Sequence, residues 1–252
     1  MSKLKDLILF NVWAKLEDEV VHHYIGYLWW ILEPAMLVTI YYLVFKLILN
    51  RGEDDYIYFL FIGIVTWKWF GSSVSAGANS LYAAKSLYKK INLPKIIFPW
   101  IECVFYTVKF LIILSLIIIV YALSNYPVFK NIIYLPILIF CQFVFTLGLS
   151  TLLSSILPYF VDLKIIVALF IRLGFYPSGV IFDLSRVPEK YDFIVNLNPL
   201  ALSIQAFRDL IMRGTPPPLY TIVFLLSSGF ILYILGYTII QKLDKKYAKI
   251  AL

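Results

Sequence analysis

The sequence has no polar stretch long enough to build a water-soluble domain. Charged residues make up only 15% of its 252 residues and hydrophobic ones 62%, with a mean hydropathy of +0.85, against roughly 45–50% apolar usage in a globular domain. That balance excludes a soluble fold. Two histidines and two cysteines leave little for metal or redox chemistry. Cys103 and Cys141 fall inside apolar runs, where thiols act as small apolar side chains. His22 and His23 are adjacent, so a helix would point them about 100° apart, and no metal-ligand pattern surrounds them. No metal site is read. A glycine-rich loop of the form G-x-x-x-x-G-K-[ST] is also missing, and with it any cradle for a nucleotide phosphate. Acidic residues cluster at Glu53-Asp54-Asp55, too few for an enzyme that holds diphosphates through divalent cations. No catalytic residue and no bound cofactor are therefore expected. A small-residue cleavage site is missing near the start, where Lys15, Glu17, Asp18 and Glu19 interrupt the apolar run, so this segment does not read as a signal peptide.

What is present is a series of apolar runs at 29–49, 58–81, 101–123, 132–156, 163–181 and 220–240, each close to the roughly 20 residues that cross a bilayer as a helix. The fold class is therefore an all-α integral membrane protein with six transmembrane helices, forming a single transmembrane domain over 1–252. Before the first run, Leu4, Leu7, Ile8 and Val12 recur at helical spacing with Phe10 and Trp13 beside them. This predicts an amphipathic helix within 1–24 that lies along the membrane surface, or one that packs on a cytosolic partner.

The net charge of +7 sits in the gaps between apolar runs, as in the loops of membrane proteins, so nucleic acid is not an expected partner. An even number of spans puts both termini on one side. That side collects Lys3, Lys5, Lys15, Lys85, Lys89, Lys90, Lys95, Lys164, Lys242, Lys245, Lys246 and Lys249, against Arg51, Lys130, Arg186, Lys190, Arg208 and Arg213 on the other. Both termini are expected in the cytoplasm.

Between the last two runs, Pro188, Asn196, Asn198, Pro199, Gln205, Arg208 and Asp209 break up an apolar stretch. Asn198-Pro199 reads as a helix start, and Gly214 before three prolines as a stop. Two short outer helices within 183–214 are expected, either dipping back into the membrane as an outer gate or packing on the spans as a surface loop. Glu33, Lys46, Lys68, Glu102, Lys109, Asp162 and Arg172 lie in or at the ends of spans. Lys109 and Arg172 sit deepest, and ionised groups there face a hydrated path, a partner or a subunit interface. Gly71, Ser75 and Gly77 on the second span allow close helix approach, and six helices enclose little space alone, so a homodimer is expected.

Aromatic residues are abundant: 6 Trp, 19 Tyr and 20 Phe. Many belong to interfacial belts. The excess suits a path for sugars, because aromatic faces pack on the C–H faces of pyranose rings while phenol and indole groups hydrogen-bond hydroxyls.

Several stretches resemble the permeases of type-two ABC exporters, and within them the O-antigen polysaccharide export group. Tyr24-Ile25-Gly26-Tyr27-Leu28-Trp29-Trp30-Ile31-Leu32-Glu33-Pro34 is similar to the family's L-G-x-L-W-x-x-L-x-P at the first span. Gly63 to Phe70 is similar to G-x-x-x-W-x-x-F, and Lys90-Ile91-Asn92-Leu93-Pro94-Lys95 to K-x-x-F/L-P-x. Val187-Pro188, Asn198-Pro199-Leu200 and Phe207-Arg208-Asp209 resemble the outer pattern V-P…N-P-L…[YF]-R-D. Two departures stand out: Val161 precedes Asp162 where the family often has arginine, and Tyr176-Pro177-Ser178-Gly179-Val180 replaces the usual S-P-[IV].

The resemblance implies a homodimeric permease of the bacterial inner membrane that exports an undecaprenyl-linked polysaccharide. It would bind two copies of a separate nucleotide-binding subunit, which holds ATP and magnesium. Tyr27, Trp30, Tyr41, Phe160, Phe175 and Tyr176 would line the path. The cytoplasmic loop 83–95, with Lys85, Tyr88, Lys89, Lys90, Leu93 and Pro94, would couple to the ATPase, and Pro188, Asn198, Pro199, Arg208 and Asp209 would belong to the gate. Other readings are a teichoic-acid or small lipid or drug exporter of the same superfamily, and a membrane-embedded enzyme of lipid-linked sugar assembly.

Overall fold

A computed structural model of the chain describes residues 2–21, 26–50, 55–90 and 93–250. His22, His23, Arg51, Glu53, Asp54 and Asn92 lie outside the described residues, as do the side chains of Lys89 and Lys90. The described residues are all-helical or irregular. In chain order the helices are α1 (Ser2–Val21), α2 (Leu28–Tyr42), α3 (Tyr56–Ala83), α4 (Lys85–Lys90), α5 (Ile97–Leu123), α6 (Leu135–Ile156), α7 (Leu163–Gly174), α8 (Asp192–Asn196), α9 (Pro199–Met212) and α10 (Leu219–Ile250).

Five helical stretches among the described residues are long and apolar enough to cross a membrane: Leu28–Ile48, Tyr56–Tyr88, Ile97–Leu123, Ile132–Ile156 and Leu219–Asp244. The expected span at 163–181 differs from the sequence reading. It is a helix of 12 residues, α7, followed by a 3₁₀ turn at Tyr176–Ser178 and by Gly179 in the left-handed region. Twelve residues rise only about 18 Å. Pro177 and Gly179 stop the helix where uniform hydropathy alone would have continued it. The first span also ends irregularly, loosening after Tyr42 into a π-helical turn in which the Leu49 N–H reaches the Val44 carbonyl at 3.0 Å.

The core centres on α3, whose inward residues run from Tyr56 to Leu81 and which packs on α2, α5, α6, α7 and α9. The tightest helix pair is α6 with α10. A Cβ added to Gly148 would fall 2.1 Å from the Gly229 carbonyl oxygen, and one on Gly229 would fall 2.7 Å from Phe145 Cα. Further along, one on Gly236 would meet the Leu152 backbone at 2.6 Å. The two backbones touch because neither helix carries a side chain at the crossing. The contacts ascend together in both helices, so α6 and α10 run parallel.

The helix α1 lies against α5. Val12 is buried, and Leu7, Ile8 and Leu16 pack beside it on Ile101 and Phe105, while Leu9, Phe10 and Trp13 stay exposed. Two ion pairs fasten it, Lys15 to Glu102 at 2.5 Å and Glu19 to Lys109 at 2.6 Å.

Helix α9 begins and ends where the sequence signals it. The Asn198 Oδ1 accepts from the N–H groups of Leu200 (3.1 Å) and Ala201 (3.3 Å), capping two of the otherwise unpaired donors. Gly214, at φ +63°, lets the Thr215 N–H turn back onto the Asp209 carbonyl at 3.0 Å. Ten of its 14 residues are buried, against α3, α5, α6 and α10. A helix so enclosed is part of the core, packed on the spans.

Candidate functional site

An aromatic groove of about 650 Å³ opens to the surface between α2, α3 and α7. One wall carries Tyr41, Trp67, Phe175 and Tyr176. Their rings touch: Tyr41 stacks on Phe175 at a centroid distance of 5.4 Å, Trp67 meets Phe175 edge-on at 5.9 Å, and Tyr176 does so at 5.6 Å. The lining also includes a polar stripe on α3 formed by Lys68, Ser72, Ser75 and Asn79. These follow the 4, 3, 4 spacing of one helix face. The buried Asn79 Oδ1 has no hydrogen-bond partner. Helix α7 contributes Lys164, Ala168, Ile171, Arg172 and Phe175, again one helical face. A surface of contiguous rings facing amines, hydroxyls and an amide suits a ligand with both C–H faces and hydroxyl groups.

A second groove of about 670 Å³ adjoins the first, sharing Glu33, Lys68, Ser72 and Tyr106 with it. It is lined further by Glu19, Trp29, Trp30 and Lys109. Lys68 pairs with Glu33. Lys109 pairs with Glu19 and lies 4.8 Å from the centroid of the Trp30 ring, a cation–π contact.

Of the residues expected to line a path, Tyr41, Phe175 and Tyr176 come together in the first groove. Trp30 is buried and faces the second, with Tyr27 edge-on to it at 4.8 Å. Phe160 lines neither groove. It is 69% exposed, in the turn after α6, and rings at that end belong to another cluster in which Tyr159 packs on Tyr247 at 5.4 Å. The sequence reading named Trp67 in a motif, Lys68 as a charge within a span and Ser75 as a small residue, but passed over Tyr106, Asn79 and the alignment of the α3 stripe. The stripe was legible, because Lys68, Ser72, Ser75 and Asn79 repeat at helical spacing within an apolar run. The small residues read as a dimer contact serve other ends: Gly77 packs on Ser150 of α6, Gly71 on Ile171 of α7, and Ser75 faces the groove.

The expected coupling loop is a short helix, α4, with a turn after it. Lys85 Nζ sits 4.0 Å from the centroid of Tyr82. Tyr88 is buried against Phe98 and its hydroxyl has no partner. Leu93 is half-buried and Pro94 exposed; the Pro94 carbonyl accepts the Ile97 N–H at 3.1 Å and so starts α5. Lys95 is buried and pairs with Asp244 of α10 at 2.6 Å, tying this turn to the end of the chain's longest helix.

At the opposite end of the bundle Arg208 is only 2% exposed. Its Nη1 donates to the Gly179 carbonyl and its Nη2 to that of Val180, each at 2.6 Å, and its Nε to that of Phe59 at 3.1 Å. One guanidinium thus joins α9, α3 and the turn after α7. Asp209 accepts from Arg213 at 2.7 Å and Gln205 at 3.1 Å. Arg213 reaches Asp183 at 3.2 Å. Burial acts to raise the Asp183 carboxyl, but the Ser185 N–H and hydroxyl, together with the Arg213 guanidinium, outweigh it and hold its pKa below the ordinary value. Asn198 Nδ2 donates to Ser178 Oγ at 3.2 Å, while Pro188 is exposed and its carbonyl accepts from the Tyr191 N–H. Arg172 is exposed on the groove face of α7.

Comparison with known proteins gives this geometry a family. The profile of the family described as ABC-2 type transporter matches residues 20–212. Two Klebsiella pneumoniae proteins named O-antigen export system permease protein RfbA are 33% and 34% identical to the chain, each over 99% of it and 96% of their own length. A Myxococcus xanthus protein of the same name is 23% identical over 99% of the chain and 96% of its own. The match spans the grooves, the α4 turn and all of α9, and this chain belongs to the ABC-2 type transporter family as a multi-pass membrane permease.

Proposed function

We propose that this protein is the channel-forming permease subunit of an ABC transporter that exports a lipid-linked, O-antigen-type polysaccharide across the bacterial inner membrane. The observation that carries the reading is the first groove, lined both by touching rings and by a polar stripe. Rings grip the C–H faces of successive sugars weakly, and hydroxyl, amine and amide groups exchange hydrogen bonds with their edges. Weak repeated contacts suit sliding. The names of the relatives agree with this substrate class.

Six crossings are the reading that the helix directions support. Because α6 and α10 run parallel, the chain between them must return through the membrane. Tyr159 packs on Tyr247 at one end of the bundle, and the Ile181 carbonyl accepts from Tyr56 at the other. The segment between them, α7 with its 3₁₀ turn, is the return crossing, short and lined by protein on one face. The lysine-rich loops put both termini in the cytoplasm.

The groove is open along α2 and α7, where Met36, Ile40, Ile165, Leu169 and Phe170 are exposed. A second copy closes it into a passage, making a homodimer. Two nucleotide-binding subunits dock on α4 and α1 and supply ATP and magnesium, since this sequence has no nucleotide loop. Helix α9 and the turn before it form the outer closure.

Deleting the gene is expected to leave undecaprenyl-linked polymer inside the cell. Restoring it as Trp67→Ala or Tyr41→Ala should lower surface polymer about fivefold, the effect of losing one ring contact, with unchanged amounts of assembled complex. Normal surface polymer in the deletion strain refutes the reading.

A further inference from the structure

We propose that Lys68 and Lys109 form a station halfway through the membrane for the phosphate head group of the lipid-linked substrate, with Glu33 and Glu19 as counterions that the phosphate displaces. This rests on the export reading above. It names what the second groove binds, where that reading assigned the sugar to the first.

Position comes first. Lys68 lies halfway along α3, and Lys109 halfway along α5, two helices of 28 and 27 residues. Both residues therefore lie about 20 Å along the helix from either end, inside spans long enough to cross a hydrocarbon layer of roughly 30 Å. An anion meets its highest barrier there unless fixed cations receive it.

The pairing is lopsided in a way that suits exchange. The cations are the sheltered partners: the Lys68 side chain is 28% exposed and that of Lys109 15%, while Glu33 is 62% exposed and Glu19 33%. An exposed carboxylate leaves a sheltered amine more readily than the reverse. A phosphate, with more charge and more acceptor oxygens, takes its place, and lysine binds it as a point charge. The Trp30 ring holds the Lys109 ammonium in position through its face.

Access and continuity complete the case. The groove opens beside α2, where Trp29 and Met36 are exposed, so an acyl or prenyl tail can remain in lipid while the head group enters. Glu33, Lys68, Ser72 and Tyr106 border both grooves, so a head group at the lysines places the first sugars against the aromatic wall. Arg172 and Lys164 line the α7 side of that wall, extending positive charge along the same route.

The test measures binding of radiolabelled undecaprenyl diphosphate to the purified full-length protein in lipid nanodiscs, with undecaprenol and inorganic diphosphate as competitors. Undecaprenyl diphosphate is expected to bind at least tenfold more tightly than undecaprenol, with inorganic diphosphate competing weakly. The charge-neutral double variants Glu33→Gln/Lys68→Gln and Glu19→Gln/Lys109→Gln should each lose about tenfold, and Glu33→Gln alone should bind more tightly than wild type, since it removes the competing carboxylate. A merely structural ion pair predicts no gain in Glu33→Gln. Equal binding of undecaprenol, or wild-type affinity in either double variant with an unchanged melting temperature, overturns the proposal. Two independent double variants are used so that misfolding of one leaves the other decisive. Normal surface polymer in a deletion strain would refute export while leaving head-group binding intact, and the reverse outcome would refute the lysine station alone.

Discussion

Arg208 shows how one side chain can matter structurally where its place in the sequence suggests a moving part. The sequence sets it beside Asp209 on an outer helix, and an arginine there reads as part of a gate. In the structure its three nitrogens donate to carbonyls from α3 and the turn after α7, and its plane lies 3.4 Å from the centroid of Phe59. The Gly179 and Val180 carbonyls lie in the turn after α7, outside any α-helix, and an orphaned buried carbonyl costs about 1–3 kcal/mol. Arg208→Lys keeps the charge but cannot fork to three acceptors. It is expected to destabilise the protein by about 2 kcal/mol or more, read as earlier exposure of the buried thiols Cys103 and Cys141 to a maleimide dye on heating. The same assay tests Asp183. Its carboxyl is more acidic when folded than when unfolded, so its contribution to stability is complete above the unfolded value and drains away as the pH falls through the folded one. The melting-temperature gap between wild type and Asp183→Asn should be full at neutral pH and close below about pH 4.

At the scale of elements, stability depends on where backbones are allowed to touch. Gly229→Ala sets a methyl 2.7 Å from the Phe145 backbone, whereas Gly71→Ala sets one 2.9 Å from the Cγ2 methyl of Ile171. Backbone cannot step aside, while a β-branched side chain in a helix has little freedom but some. Gly229→Ala is expected to cost about 1–3 kcal/mol and Gly71→Ala less than Gly229→Ala, measured by the same thermal unfolding. Both glycines sit among Ser and Phe within apolar runs, and nothing in those neighbours says which one meets a backbone, so the distinction was not legible there. Spans were legible because length and apolarity are local properties: four of the five long helices begin and end within a few residues of the apolar runs, and α10 carries on past its run to Ile250. The start and stop of α9 were legible for the same reason, through Asn198-Pro199 and Gly214. The end of α7 was passed over, because Pro177 and Gly179 sit inside a run whose average is apolar. Partnerships were hidden too. Glu102 and Lys109 were visible as costly charges within a span, but their partners Lys15 and Glu19 lie 87 and 90 residues away, and spacing along a helix does not reveal a neighbour from another.

The whole molecule constrains its own topology through the parallel pair α6 and α10. If both cross in one direction, everything from Leu157 to Pro218 must begin on one side and end on the other, and α7 with its 3₁₀ turn is the apolar segment placed to do so. Single cysteines make this measurable, since Cys103 and Cys141 are buried and leave the background dark. Lys5→Cys, Ser86→Cys and Lys246→Cys, all at exposed positions on α1, α4 and α10, should resist a membrane-impermeant maleimide in intact spheroplasts and react after permeabilisation. Ser185→Cys, exposed in the turn that follows α7, should react from outside at once. With only the five long helices crossing, α6 and α10 could not both keep their direction, and Ser185 would share the protection of Ser86. Outside labelling at Ser185 together with protection at Lys5 and Lys246 therefore requires an even number of crossings with α7 among them. That is the arrangement in which its face of Lys164, Ala168, Ile171, Arg172 and Phe175 runs along the aromatic groove as the chain crosses.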